Sequence, residues 1–454
     1  MEKKSIRGVS RRDFLKTAAA ATASATLVGA PRPGYVAETG SLKIGLIGCG
    51  GRGSGAVRDA LQAAAIVGAP IQLVALADVF KDKVDAVKKR FVESKGGELR
   101  ESIKLTDEMC FSGLDCHEKL LKSDVNYVIL ATPPGFRPMH FEAAVEARKH
   151  IFAEKPVATD VVGTRQFMAA ARKSEQLKLS VVAGTQRRHT LAFIETIKKI
   201  HDGKMGDILG ARCYDCRGPV FKARERDPKW GDLEWQIRAW YSYIWLSGDQ
   251  IVEQAIHSID AMNWALGGHP VRAFASGGRA WKTKDQEYMG NIWDNISVDY
   301  EYEIGGRTVH MATMTRHWVS SDGTVAEIVV GTKRESNCSD NLGEPLKEEG
   351  ESGSVQEHVD LIHSITGKGR YYNEAMQVAE SSFTAILGRE SAYSGKRLTW
   401  DGLLKSNLDL MPKPLSLEAK LPTPTIAIPG TYQIPGLASE GDEKKGRKKG
   451  KAKA

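Results

Sequence analysis

Ser41-Leu-Lys-Ile-Gly-Leu-Ile47, followed without a break by Gly48-Cys49-Gly50-Gly51-Arg52-Gly53, is the stretch that decides the fold. The first seven residues read as a buried parallel strand, and the glycines then open a helix from Ser54 to Ala64. Each glycine has a mechanical reason. Gly48 permits the tight turn, Gly50 lets a pyrophosphate approach the backbone, and Gly53 lets helix and strand pack closely. The helix N-terminus then presents free amides to phosphate, with Gly51 and Arg52 completing the cradle.

Working outward, Ile71 to Ala77 is a second apolar strand and ends in Asp78. A carboxylate at that tip accepts both ribose hydroxyls of an adenosine and repels a 2′-phosphate, so NAD is favoured over NADP. Val125 to Ala131 is a third buried strand capped by Thr132-Pro133-Pro134, and Ile151 to Ala153 runs directly into Glu154-Lys155-Pro156. Ligands of open parallel sheets lie beyond the carboxyl ends of the strands, which is where Thr132, Pro133, Glu154 and Lys155 fall. Residues 40–180 therefore read as an α/β nucleotide-binding domain of the Rossmann type, a doubly wound parallel sheet.

From Val181 the pattern changes to long strands of period two. Ile296 to Ile304, Gly305-Gly306 and Arg307 to Trp318 form a hairpin, because two adjacent glycines supply the positive φ angles of a two-residue turn. Val271 to Trp281 and Val325 to Gly331 add strands, and helices follow Ser354. Residues 181–400 are predicted to form an α+β substrate domain with a predominantly antiparallel sheet, one face of which walls the site. Residues 401–454 are a C-terminal extension ending in a basic, disordered tail.

Ile251 to Trp264 is helical by period. Glu253 and His257, four apart, share a face, and Asp260 follows close enough to orient the imidazole. A histidine titrates near working pH and suits proton removal from an alcohol. Thr185-Gln186-Arg187-Arg188-His189 follows a predicted strand, and Arg187 or Arg188 could hold a substrate hydroxyl or carboxylate. Trp230, Trp235, Trp240 and Trp245 offer faces for sugar stacking, although a spacing of five cannot align all of them on one helix face.

In order and content these motifs resemble the Gfo/Idh/MocA oxidoreductases, over about residues 42 to 400. The resemblance rests on GCGGRG at 48–53, ATPP at 131–134, the Glu154-Lys155-Pro156 triplet and the distal helix with His257 and Asp260. It implies that Lys155 sits beside the nicotinamide and the reacting hydroxyl, that His257 is the acid/base group, and that Gln-Arg segments such as 186–188 line the substrate site. Relatives often carry Asp where Glu253 stands. The resemblance further implies pairing through the open face of the second sheet, hence a homodimer or tetramer.

The whole chain has 64 Lys and Arg against 56 Asp and Glu. Residues 1 to 30 and 440 to 454 each carry a net charge of +4, so residues 31–439 are neutral. A neutral body lacks the basic footprint of a nucleic-acid-binding domain. Arg11-Arg12-Asp13-Phe14-Leu15-Lys16 before the Ala-rich run Thr17 to Ala30 reads as a twin-arginine export signal within residues 1–35. Its apolar run is too short for a membrane span, and no later segment is long and apolar enough to be one. Proteins exported this way cross folded, so a tightly held cofactor loaded beforehand is expected. The six cysteines show no disulfide spacing, Cys213 and Cys216 point to opposite sides of a strand, and so do His310 and His317, so no metal site is expected.

The expected function is a hydride transfer between NAD and a hydroxyl of a sugar, polyol or glycoside. The alternative is a redox-neutral glycosidase or lyase that works through a transient keto-sugar, for which Tyr241 or His189 could supply a second base.

Overall fold

The computed structural model describes residues 40–93, 101–220, 225–280, 290–346 and 350–437. The export signal and the basic tail lie outside the described residues.

The first sheet contains β1 (Leu42–Ile47), β2 (Ile71–Asp78), β3 (Cys110–Ser112), β4 (Tyr127–Leu130), β5 (His150–Ala153) and β6 (Val181–Ala183). Its order is β3-β2-β1-β4-β5-β6, and every pairing is parallel. β4 and β5 are buried at every residue, as strands covered on both faces must be, and this is why they read as unbroken apolar runs. The order reverses between β1 and β4, and the crevice of such a sheet opens there, beyond the carboxyl ends.

The second sheet contains β7 (Ile208–Arg217), β8 (Arg272–Gly278), β9 (Asn295–Ile304), β10 (Arg307–His317), β11 (Thr324–Gly331), β12 (Glu335–Ser336) and β13 (Leu398–Thr399). The order is β12-β11-β7-β10-β9-β8-β13, antiparallel except where β10 runs parallel to β7. Gly305 and Gly306 have φ of 60° and 80°, the positive pair that the β9–β10 turn requires. Burial alternates along β9 and β10, and the covered face of the sheet meets the helix Ala375–Ser394 at β8 and β9 and the helix Ile256–Leu266 at β7 and β11. That alternation sends His310 to the surface, against Asp299, and His317 into the interior.

Two findings concern organisation. The helix Gly353–Thr366, which the sequence places with the second half, packs on the helix Gly51–Val67. Its Val355, Val359 and Ile362 join the same apolar core as Ile44, Leu46 and Val57 of the nucleotide-binding half. Residues 401–437 of the expected C-terminal extension are packed on the body. Ile434 is buried, the Leu410 amide donates to Asp160 at 2.7 Å, and Leu417 and Leu421 pack against the cluster around Trp235.

Candidate active site

A cavity of about 630 Å³ lies at the carboxyl ends of β1, β2, β4 and β5, a size suited to a small-molecule site. Its floor is the glycine-rich turn. Gly48 has a φ of 105°, and a Cβ there would come within 2.5 Å of the Ala131 backbone. A Cβ on Gly53 would lie 2.1 Å from the Gly48 carbonyl oxygen, so Gly53 serves the packing of helix on turn and does not line the cavity. Cβ atoms on Gly50 and Gly51 would meet nothing within 4 Å and would project into open space. The helix behind them has no side-chain cap and no acidic residue in its first turn, so its leading amides are left for an anion.

Asp78, at the tip of β2, accepts from the Cys49 amide at 2.8 Å and the Phe80 amide at 3.0 Å. Burial raises its pKa, and those amide hydrogen bonds oppose the rise. Thr132 and Pro133 line the cavity from the end of β4. The Thr132 hydroxyl is within 3.1 Å of His140 Nδ1. His140 stacks on Phe136, and burial first, then His117 and Arg137, hold it well below the usual histidine range and therefore neutral. The open glycine cradle, the free helix terminus and the carboxylate at β2 are the donor and acceptor set that an adenine dinucleotide requires.

The other end of the cavity is built around Glu154 and Lys155. Arg52 donates to Glu154, pairs with Asp59 at 3.0 Å and reaches Glu357 at 3.5 Å. Burial works against the Arg52 charge, but the Glu154 carboxylate beside it raises its pKa overall. A Cβ on Gly184 would lie 2.6 Å from the Glu154 carboxylate, so only glycine leaves that side chain its room. Lys155 Nζ donates to the Glu253 carbonyl at 2.6 Å and to Glu253 Oε1 at 2.9 Å. The second Glu253 oxygen accepts from Gln254.

His257 lines the same cavity, and its Nδ1 is enclosed with no hydrogen-bond partner. Burial first, then the nearby cations Lys155, Arg187, Arg217 and Arg52, hold its pKa well below the usual value. At neutral pH the imidazole is uncharged and able to accept a proton.

Several expectations need correction here. The segment Ile251 to Trp264 is not one helix. A short helix Gln250–Glu253 ends, and a second, Ile256–Leu266, begins after Gln254 and Ala255. Both elements still deliver Glu253 and His257 to the cavity, but not as neighbours on one helical face. Asp260 does not orient His257. It is buried away from the cavity, accepts from Arg188 Nε at 2.8 Å and Nη2 at 2.9 Å, and accepts the Ser381 hydroxyl at 2.7 Å. Arg188 is tied to Asp260 by that pair, and Arg187 is held by Glu327 at 2.5 Å and Ser258 at 3.1 Å. Neither arginine lines the cavity, whereas Gln186 beside them does.

The second sheet does not wall the cavity directly either, because the helices bearing Glu253 and His257 lie against it. His189 is clamped between Asp360 at 2.6 Å and Glu374 at 3.3 Å. Burial disfavours its charge, but Glu374 and Asp360 outweigh that and raise its pKa to about 10. It is a structural cation and no second base. Tyr241 is buried with its ring stacked on His317, also off the cavity. Of the tryptophans, Trp240 lines the cavity, while Trp235 and Trp245 are core.

Sequence reasoning missed Glu357, Gln254, Arg137 and His140. Glu357 lines the cavity with one carboxylate oxygen unpartnered, and burial with Glu154 nearby pushes its pKa well up. Arg137 is buried and donates to the Thr132 carbonyl at 2.7 Å and the Pro156 carbonyl at 3.3 Å, tying together the ends of β4 and β5. Its burial lowers its pKa to about 10. A run of Arg-Pro at a helix start gives no sign of this in one dimension. Among the described residues no cluster of side chains could hold a metal ion, and the six cysteines are free.

Residues 42–182 match the model of the oxidoreductase family with an NAD-binding Rossmann fold, Gfo/Idh/MocA. These residues are a Gfo/Idh/MocA domain. Residues 8–28 match the twin-arginine translocation signal, so the chain carries a signal for export by that route. Among curated relatives, a glycosyl hydrolase family 109 protein of Streptomyces coelicolor is 26% identical over 264 residues, 53% of this chain and 52% of that one. An inositol 2-dehydrogenase of Rhizobium meliloti is 26% identical over 237 residues, covering 52% and 58%. The chain spans about half the length, or less, of the first curated relatives it matches, 52%, 50% and 38%.

The scyllo-inositol dehydrogenase of Lactobacillus casei, solved with NAD(H) and scyllo-inositol, shares the fold. It superposes with a TM-score of 0.58 at 18% identity, over 80% of this chain and 100% of that one. No helix among the described residues is long and apolar enough to cross a membrane.

Proposed function

We propose that this Gfo/Idh/MocA chain is an exported oxidoreductase of CH–OH groups on a sugar, polyol or glycoside, working with a tightly bound NAD. The observation that carries the reading is the neutral His257, its Nδ1 unpartnered, in one cavity with Lys155 and the glycine cradle. When bound there, NAD supplies a nicotinamide that accepts or returns a hydride.

The chain's own residues do the rest. His257 takes the hydroxyl proton. The Lys155 ammonium stabilises the developing oxyanion and, by its charge, keeps His257 unprotonated beforehand. Glu253 holds Lys155 in place through its carbonyl and its carboxylate. Gln186, Gln254 and Trp240 offer amides and an aromatic face to a neutral carbohydrate. Pairing of chains through the outer face of the second sheet is part of the proposal, where Phe274 and Met314 are exposed.

The test is to add candidate sugars and polyols to the purified holoenzyme and follow the absorbance of reduced nicotinamide. A substrate that reduces the bound cofactor in the wild type but not in His257→Ala supports the reading. Reduction at equal rates in both removes His257 from it.

A redox-neutral glycosidase is the second reading, favoured by the glycosyl hydrolase family 109 names among the relatives and by export to where free NAD is scarce. It differs in one readout. Aryl-glycoside cleavage without net reduction, together with solvent deuterium entering the sugar beside the oxidised carbon, favours the glycosidase.

A further inference from the structure

The adenosine end of the cavity is covered from outside the nucleotide-binding half. Asp78 and Phe80 lie on one side, and Ile237 and Arg238 of the helix Asp232–Arg238 line the other. Arg238 crosses between them. Its guanidinium lies 3.8 Å from the centre of the Phe80 ring and bonds Asp82 at 3.0 and 3.1 Å, Asp82 being on the helix that follows β2. On its own helix it bonds Glu234 at 2.8 Å, which fixes the fork that faces Asp82.

The covering helix is held in turn by the C-terminal segment. The Leu421 amide donates to Asp232 at 3.0 Å, and a Cβ on Gly231 would lie 2.8 Å from the Leu417 carbonyl oxygen. Behind it, Trp235 and Trp245 are buried with Phe136 in one apolar cluster, and Trp245 Nε1 donates to Gln236 at 2.6 Å. A nucleotide seated on Asp78 is thus roofed by an element that Arg238 fastens to the nucleotide-binding half through its pair with Asp82.

We propose that the helix Asp232–Arg238 is a cover over the adenosine of bound NAD, latched by Arg238 to Asp82, and that this latch sets how slowly the nucleotide leaves. Arg238 and Asp82 are positioning residues in this account: they hold the cover and take no part in hydride transfer. A cover of this kind keeps the cofactor with a chain that is exported folded. The inference rests on the NAD reading above.

The latch has a graded signature. Asp82 is 60% exposed, and exposed ion pairs are worth little, so Asp82→Asn should speed NAD release only about two- to five-fold. Arg238→Ala also loses the contact over Phe80 and should speed it about ten-fold or more. Asp82→Lys, which sets two cations face to face, should fall between or above these.

The experiment loads each purified protein with labelled NAD and measures its release into excess unlabelled NAD, at low and at high salt, with thermal unfolding as a check on folding. Faster release in all three variants, and faster wild-type release at high salt that vanishes in Asp82→Asn, supports the latch. A merely structural Arg238 would not produce that salt dependence at Asp82. Release at the wild-type rate from folded Asp82→Asn, Asp82→Lys and Arg238→Ala overturns the latch and leaves the NAD reading standing. Failure of every form, wild type included, to bind NAD overturns the NAD reading and the latch with it.

Discussion

Lys155–Glu253 and Arg188–Asp260 are ion pairs of similar burial, with side-chain exposures of 10% and 8% against 10% and 1%. Their surroundings differ. Arg188 meets Asp260 with two parallel N–H···O bonds, Ser381 fills a further acceptor position, and the guanidinium lies over the Trp264 ring at 5.1 Å. Asp260 is thus held from two sides, and the pair lies off the cavity that Lys155 lines. Lys155 is a point charge held by one carboxylate oxygen and one carbonyl, and it opens on the cavity beside an unpartnered imidazole nitrogen. A buried charge marks a reactive site only when some of its bonding capacity faces a space a ligand can enter. Satisfied on all sides, it is structure.

The contrast breaks most visibly in a pair of substitutions. His257→Ala, on the open side, should lower kcat/KM by about 10² to 10⁴ while leaving the unfolding midpoint near that of the wild type. A large loss of stability with little loss of rate would move His257 to the structural side. Arg188→Ala should do the reverse. It leaves Asp260 buried without its partner, and denaturant titration should show a loss of about 3–5 kcal/mol. Lys155→Met should cost rate, and less stability than Arg188→Ala, because the Glu253 carboxylate it leaves behind keeps its Gln254 donor and lines the cavity.

A finer test uses titration. Lys155 is the foremost charge, after burial, in depressing the His257 pKa. In the wild type, NMR titration of the His257 ring should show no protonation until well below pH 6.5. In Lys155→Met the midpoint should move upward. An unmoved midpoint would separate the two groups and weaken the proton-transfer role given to them.

A further test concerns His189, the closed counterpart of His257. Its folded pKa is raised from 6.5 to about 10, so the folded state binds its proton more tightly than the unfolded state. The stabilisation is complete below pH 6.5 and is lost as pH rises from there towards 10. Stability measured between those limits should fall more steeply in the wild type than in His189→Gln. Parallel curves would remove the Asp360–His189–Glu374 cage from the account.

The same division explains what was legible in the sequence. The strand–glycine–helix turn at 41–64 and the Gly305-Gly306 hairpin are local: their geometry follows from φ angles and periodicity within a few residues, and both stand as read. Asp78, Thr132, Glu154 and Lys155 were placed by one further rule, that strand ends of a parallel sheet face the crevice. Arg187, Arg188 and Asp260 needed knowledge of partners 72 to 140 residues away, Asp260 for Arg188 and Glu327 for Arg187, and no periodicity carries that.

The break at Gln254 and Ala255 hid for another reason. Apolar residues continue through it at nearly helical spacing, although the short helix Gln250–Glu253 ends and the helix Ile256–Leu266 begins anew. Glu357 was invisible because the helix that bears it returns to the first half across more than 150 residues of second-half sequence, from β6 ending at Ala183 to Gly353.

The most direct test of the central claim is to denature protein purified without added cofactor and identify the released small molecule by absorbance and mass. The account predicts close to one NAD or NADH per chain, and much less from Gly50→Val, whose side chain would fill the open cradle. Wild-type protein that releases no nucleotide, and that takes up none when NAD is supplied, would contradict it.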